Sequence, residues 1–172
     1  MTPRQEAAMK THLLLIVVIF LAGIAEGGEA PLNARAPEFT LQDQYDRIVA
    51  LRQYEGHIVV LIASDKEGST QNAGWTKVIR DKYADRVAIQ GIADVSSVPF
   101  FLKGKIRNDF KKDKDSILMD WKGEVFKAYG LTKGTPNVIL IDKDGMIRYR
   151  TSGPASPETV QDLFEKIDAL NY

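Results

Sequence analysis

The feature that most constrains the fold is a pair of aliphatic runs separated by a helical pattern. Residues 57–63 are β-branched and aliphatic almost without interruption, the signature of a strand buried on both faces. Residues 74–83 then place Trp75, Val78, Ile79 and Tyr83 at helical spacing, and residues 87–92 form a second buried run. Strands of this kind joined through a helix lie parallel in one sheet, with the helix packed on its face.

The flanking segments extend this β-α-β unit in a defined order. Upstream, Phe39-Thr40-Leu41 and Ile48-Val49-Ala50-Leu51 face each other across a polar turn and read as a β-hairpin. Downstream, residues 98–110 begin as a helix and end in a charged surface turn. Ile117-Leu118-Met119 is a short strand, and residues 124–129 are a short helix closed by Gly130. Residues 137–141 and 146–150 are strands joined by Asp142-Lys143-Asp144-Gly145, a turn whose glycine can take positive φ. Ser156-Pro157-Glu158 supplies an N-cap and a first-turn proline for a last helix that buries Val160, Leu163, Phe164, Ile167 and Leu170. The expected architecture is a three-layer α/β domain.

The N-terminus has a different character. Arg4 and Lys10 precede an apolar run from Leu13 to Ala25. That run is too short to cross a bilayer, which takes about 20 residues, and its flanks fit a secretory signal peptide over residues 1–25. Cleavage is expected between 25 and 30; an uncleaved anchor or a buried helix is the alternative. Residues 26–35, rich in Gly, Ala and Pro, read as a linker, and residues 36–172 as the domain. The protein is therefore expected in a periplasmic or secreted location, with no membrane contact beyond the targeting segment. The 23 basic and 23 acidic residues give no net steering field for nucleic acid or an anionic membrane.

Three stretches carry a resemblance. Ala36-Pro37-Glu38-Phe39-Thr40-Leu41-Gln42-Asp43 resembles the opening of redoxin domains, the group that holds peroxiredoxins and the TlpA and ResA thiol reductases. Residues 51–61 resemble the next segment of that pattern, with His57 in place of its usual lysine. Tyr129-Gly130-Leu131, Gly134-Thr135-Pro136 and Leu140-Ile141-Asp142-Lys143-Asp144-Gly145 resemble its C-terminal half. The resemblance implies a thioredoxin-like three-layer fold with an N-terminal β-hairpin extension, closest to the cysteine-less exported proteins of the YtfJ type. In that family the central strand runs into a Trp-Cys-x-x-Cys loop. Laid onto this chain, Lys66 stands where the attacking cysteine would lie and Ser69 where the resolving one would. Thr135-Pro136 matches the family's cis-proline, which presents backbone groups to an extended substrate.

The chain contains no cysteine at all. Disulfide exchange requires a thiolate nucleophile, so thiol catalysis by these 172 residues is excluded whatever the frame. The peroxiredoxin motif Pro-x-x-x-Thr-x-x-Cys is missing as well. What remains at the vacated redox loop is Asp65, Lys66, Glu67, Gly68, Ser69 and Thr70, read as solvated charges with Asp65 or Ser69 capping a helix. With Thr135, Pro136 and Trp75 this loop is the candidate binding surface for a protein or peptide partner, and no catalytic residue is assigned. Trp75 is otherwise a core or rim aromatic. A Ser69–His57 pair fails on distance, because a strand of about seven residues separates them by roughly 20 Å. Asp142-Lys143-Asp144-Gly145 lacks the downstream glutamate of a calcium loop. The six basic residues and three aspartates between 103 and 115 read as a solvated face. No cofactor or metal site is expected.

Overall fold

The computed structural model describes residues 28–170, so the expected targeting segment lies outside the described residues. Strands β1 (Thr40–Asp43) and β2 (Ile48–Ala50) form the expected hairpin, with Leu41 opposite Val49. The central run becomes β3 (Val59–Ser64), followed by a helical turn α1 (Lys66–Ser69) and helix α2 (Asn72–Tyr83). Strand β4 (Ala88–Asp94) returns parallel to β3, pairing Leu61 with Gln90. A 3-10 turn (Phe100–Leu102), helix α3 (Lys103–Phe110) and strand β5 (Ile117–Asp120) make up the excursion. Helix α4 (Glu124–Tyr129), strands β6 (Asn137–Ile141) and β7 (Ile147–Ser152) and helix α5 (Pro157–Leu170) complete the described chain.

One sheet runs in the order β2-β1-β5-β4-β3-β6-β7. The three strands β3, β4 and β5 are mutually parallel, whereas β6 runs antiparallel against β3. The N-terminal hairpin joins this sheet through β5, so the excursion between β4 and α4 carries it. That long-range pairing has no local sequence signature.

Every residue of β3 is buried, as a strand covered on both faces requires. Val59, Leu61 and Ala63 pack with Phe126 and Tyr129 of α4, while Ile58, Val60 and Ile62 pack with Trp75, Ile79 and Leu163 of α2 and α5. The alternation of strand side chains thus splits the core into two layers. On α5 the expected stripe is present, with Leu163 and Ile167 fully buried and Val160, Phe164 and Leu170 packed at its margin.

The stretch read as a linker is built into the domain from residue 29 onward. Ala30 is buried, its carbonyl accepts from Arg150 Nη1 at 2.5 Å, and its amide donates to Tyr129 O at 3.3 Å. Asn33 N–H donates to Ile147 O and Ile147 N–H to Ala34 O, which ties this arm alongside β7. Small residues and a lack of periodicity suit a segment passing this close. A Cβ on Gly130, whose φ is +59°, would lie 2.7 Å from the Glu29 Cα.

The Asp142–Gly145 segment is a hairpin turn. Asp142 Oδ1 accepts from the Asp144 and Met146 amides, both at 2.9 Å, and Oδ2 accepts from Arg148 Nε at 2.5 Å. Burial pushes this carboxyl's pKa upward, but the amides and Arg148 outweigh it and hold the group below the ordinary carboxylate range. Asp43 behaves alike: burial is overcome by Arg47, the Tyr45 and Arg47 amides and the Ser116 hydroxyl. A carboxylate depressed in the folded state contributes stability that is present above its unfolded pKa, near 3.9, and lost as pH falls through the folded value. The urea-unfolding gap between the wild-type protein and Asp43→Asn/Asp142→Asn is therefore expected to narrow between about pH 5 and about pH 2. A gap that is constant or widens over that range contradicts the assignment.

Candidate functional site

Strands β3, β4 and β5 all end on one side of the molecule, at Ser64, Asp94 and Asp120, and β6 begins there at Asn137. The carboxyl ends of parallel strands are where open α/β sheets leave a crevice. The vacated redox positions lie on this side. Lys66 and Ser69 are the first and last residues of α1, both exposed, and the Ser69 hydroxyl donates to the Lys66 carbonyl at 2.7 Å. The vacated loop is thus a closed helical turn, and of the two expected caps it is Asp65 that acts, its Oδ1 accepting from the Gly68 amide at 3.0 Å.

Two side chains and one close backbone contact brace this turn against the segment before β6. The second oxygen of Asp65 accepts from the Gly134 amide at 2.8 Å. Gly68 is buried so closely against Thr135 that a Cβ there would sit 2.5 Å from the Thr135 carbonyl carbon. The Asn137 side chain donates to the carbonyls of Thr132 at 2.8 Å and of Thr135 and Ala63 at 3.2 Å, and accepts from the Thr132 amide at 2.9 Å. Asp65→Ala is expected to cost about 1–2 kcal/mol through the lost cap. Amide exchange should rise at Gly68 and Gly134 while β3 and β6 stay protected; continued protection of Gly134 would refute the bridge.

Here the isomer at Thr135–Pro136, which the resemblance matches to a cis-proline, is settled among the described residues, and the place of Trp75 is corrected. No peptide bond among the described residues is cis, so Thr135–Pro136 is trans. The trans form is intrinsically favoured by about 0.5–1 kcal/mol. Here Gly134, at φ +78°, makes the turn, and Asn137 satisfies the Thr135 carbonyl in this geometry. Pro136 is buried and Thr135 half-buried, so the exposed part of the candidate surface belongs to Lys66, Glu67, Ser69 and Thr70. Trp75 is not part of that surface. It is fully buried between the sheet and α5, with its indole N–H on the Gly153 carbonyl at 2.9 Å, because the apolar stripe of α2 points it inward.

Other groups of the crevice were not singled out from sequence. Ser64, buried, accepts from Asn72 Nδ2 at 2.7 Å, which joins the end of β3 to the start of α2. Asp94 is buried, accepts from the Ser96 amide at 3.0 Å and pairs with Lys133 Nζ at 3.5 Å. Asn137 could have been flagged as a strand-disfavoured residue opening an aliphatic strand. Beside the turn, a cleft of about 330 Å³ runs between α2 and the excursion, with Ser69, Asn72, Thr76 and Arg80 on its polar side and Ile89 and Ile117 on its apolar floor. The one histidine among the described residues, His57, precedes the opposite end of β3 and lies near the Glu55 carbonyl. This crevice therefore offers hydrogen-bonding groups and an apolar floor without a base-activated nucleophile.

The AhpC/TSA family model matches residues 32–150. This chain belongs to the AhpC/TSA family. Its fold is thioredoxin-like, and it carries that family's frame without a cysteine. Among curated relatives, it is 41% identical over 59 residues to a probable thiol:disulfide interchange protein, DsbE-2, of Pasteurella multocida, covering 32% of this chain and 31% of that protein. It is 28% identical over 139 residues to the chloroplastic peroxiredoxin Q of Oryza sativa subsp. japonica, covering 76% and 63%. The match thus spans less than two thirds of either relative's length. Among solved structures, a protein assigned as the thiol:disulfide interchange protein DsbE of Chlorobium tepidum superposes with a TM-score of 0.65 at 20% identity, covering 83% of this chain and 99% of that one. The exposed lipoprotein thioredoxin Etrx1 of Streptococcus pneumoniae gives 0.61 at 18%, covering 76% and 99%.

Proposed function

We propose that this protein is an exported redoxin-fold binding module that engages extended segments of other polypeptides without thiol chemistry. The observation that carries the reading is the pairing of a preserved frame with an absent reagent. The α1 turn is still braced on Thr135 through Gly68 and on the Gly134 amide through Asp65, yet Lys66 and Ser69 stand at the two positions that the resemblance matches to the redox cysteines. A partner would meet the exposed face of α1, and the adjoining cleft would take an apolar side chain on Ile89 and Ile117.

The test is a titration of labelled, reduced and carboxymethylated unfolded peptides against the full chain. Lys66→Ala/Glu67→Ala/Ser69→Ala is expected to weaken binding about tenfold, or about 1.4 kcal/mol. Pro136→Ala should weaken it by a similar factor by loosening the Thr135 backbone. An unchanged Kd in both variants would sink the surface assignment. Mass determination of the mature N-terminus from the exported fraction checks the location.

The names of the relatives favour a second reading, an oxidoreductase or antioxidant role exercised through a partner's thiol or a bound cofactor. Insulin reduction or peroxide turnover by the purified protein above a buffer blank would establish it over the first.

A further inference from the structure

Phe100 and Phe101 are 83% and 71% exposed, above every other large apolar side chain among the described residues. They are not loosely placed. Pro99 opens the 3-10 turn, the Leu102 amide donates to the Pro99 carbonyl at 2.9 Å, and the two rings stack edge to face with centroids 5.9 Å apart. The chain continues into α3 and its following turn, which together hold six basic and three acidic residues in a protein of zero net charge. Within that segment Arg107 pairs with Asp46, Lys112 with Asp109, and Asp115 with Arg80. Among the described residues Lys103, Lys105, Lys111 and Lys114 enter no ion pair, with Lys103 Nζ 4.9 Å over the Trp121 ring, against Asp113 alone on the acidic side. Unpaired positive charge thus follows the two protruding rings along the chain.

An exposed aromatic pair followed by unpaired lysines is complementary to a layer that supplies both negative charge and apolar depth. We infer that this face docks peripherally on an anionic phospholipid bilayer, with Phe100 and Phe101 entering the headgroup boundary and Lys105, Lys111 and Lys114 meeting lipid phosphates. No helix among the described residues is long and apolar enough to cross a membrane, which suits surface contact. The inference revises the expectation of no membrane contact beyond the targeting segment, which rested on overall charge.

The absence of cysteine allows a single reporter to be placed at will. Gly104 has open space where a Cβ would stand, so Gly104→Cys in the full chain takes a nitroxide beside the rings. Glu158→Cys, exposed on α5, is the reference position. With phosphatidylglycerol vesicles the ratio of oxygen to nickel-chelate accessibility is expected to rise about threefold or more at 104 and to stay level at 158. The rise should vanish in Phe100→Ser/Phe101→Ser, in pure phosphatidylcholine and in high salt. An unchanged ratio at 104, an equal rise at 158, or a rise that survives the double serine variant or persists in neutral vesicles overturns the inference. So does protection of the 104 label by the unfolded peptides with no response to vesicles, which would assign the face to a protein partner.

Discussion

Gly68→Ala is expected to destabilise the protein by about 1–3 kcal/mol and to pull the α1 turn away from Thr135. The added methyl would lie 2.5 Å from the Thr135 carbonyl carbon, 2.6 Å from its oxygen and 2.8 Å from its nitrogen. All three are backbone atoms, so no side-chain rotation relieves the clash. Either α1 lifts from the sheet end or the Thr132–Pro136 segment gives way, and that segment is fastened by Asn137 and by Asp65. Gly104→Ala is the matched control. Its methyl meets nothing within 4 Å, and alanine is the better helix former by about 0.8–1 kcal/mol. Urea unfolding should therefore move in opposite directions for the two glycines. Amide exchange at Gly134 should rise only in Gly68→Ala. Equal, small effects at both positions would mean that the turn is not braced as described.

This brace also shows where the sequence was legible and where it was not. Both central strands, α2, the final hairpin and α5 declare themselves by periodicity, because each buries a face whose spacing is set by its own geometry. The joining of the hairpin to β5 does not, since strand pairing over some seventy residues leaves no local pattern. The α1 turn has four residues, too few for a helical period, so the sequence marks it only by its Asp65 cap; what holds it down is a contact distant in sequence. Trp75 could be placed on a helix face from spacing, but which face turned inward depended on α5. Residues 26–35 read as a linker by composition alone, while the docking of their described part, of which only Ala30 is buried, is decided by the Arg150 guanidinium and the space over Gly130. The exposed Phe100 and Phe101 were hidden within a nominal helix. Their burial depends on whether anything folds over the turn, and nothing in the described chain does.

If the frame around the vacated site is intact, restoring the sulfur atoms should restore a disulfide. Lys66→Cys/Ser69→Cys places two thiols at the ends of one helical turn, where side chains three residues apart lie about 5–6 Å apart at Cβ. Small adjustments of the turn bring such a pair within disulfide geometry, which spans Cα separations of about 4.4–6.8 Å. Both positions are exposed, so the exchange leaves the two core layers untouched. On mild oxidation the double variant is expected to lose both titratable thiols without forming a disulfide between chains, and each single variant to keep its one thiol or to cross-link two chains. The reduced double variant should transfer its two electrons to insulin disulfides, rising above the wild-type protein, which has no thiol and serves as the blank. The rate should be modest, because the Asp65 carboxylate at the cap disfavours the thiolate. Asp65→Asn in the same background should therefore lower the thiol pKa and raise the rate at pH 7, a direction opposite to simple damage of the cap. Two free thiols persisting after oxidation would show that the turn no longer has the geometry of a redox site, and the preserved frame would then be a likeness of fold only.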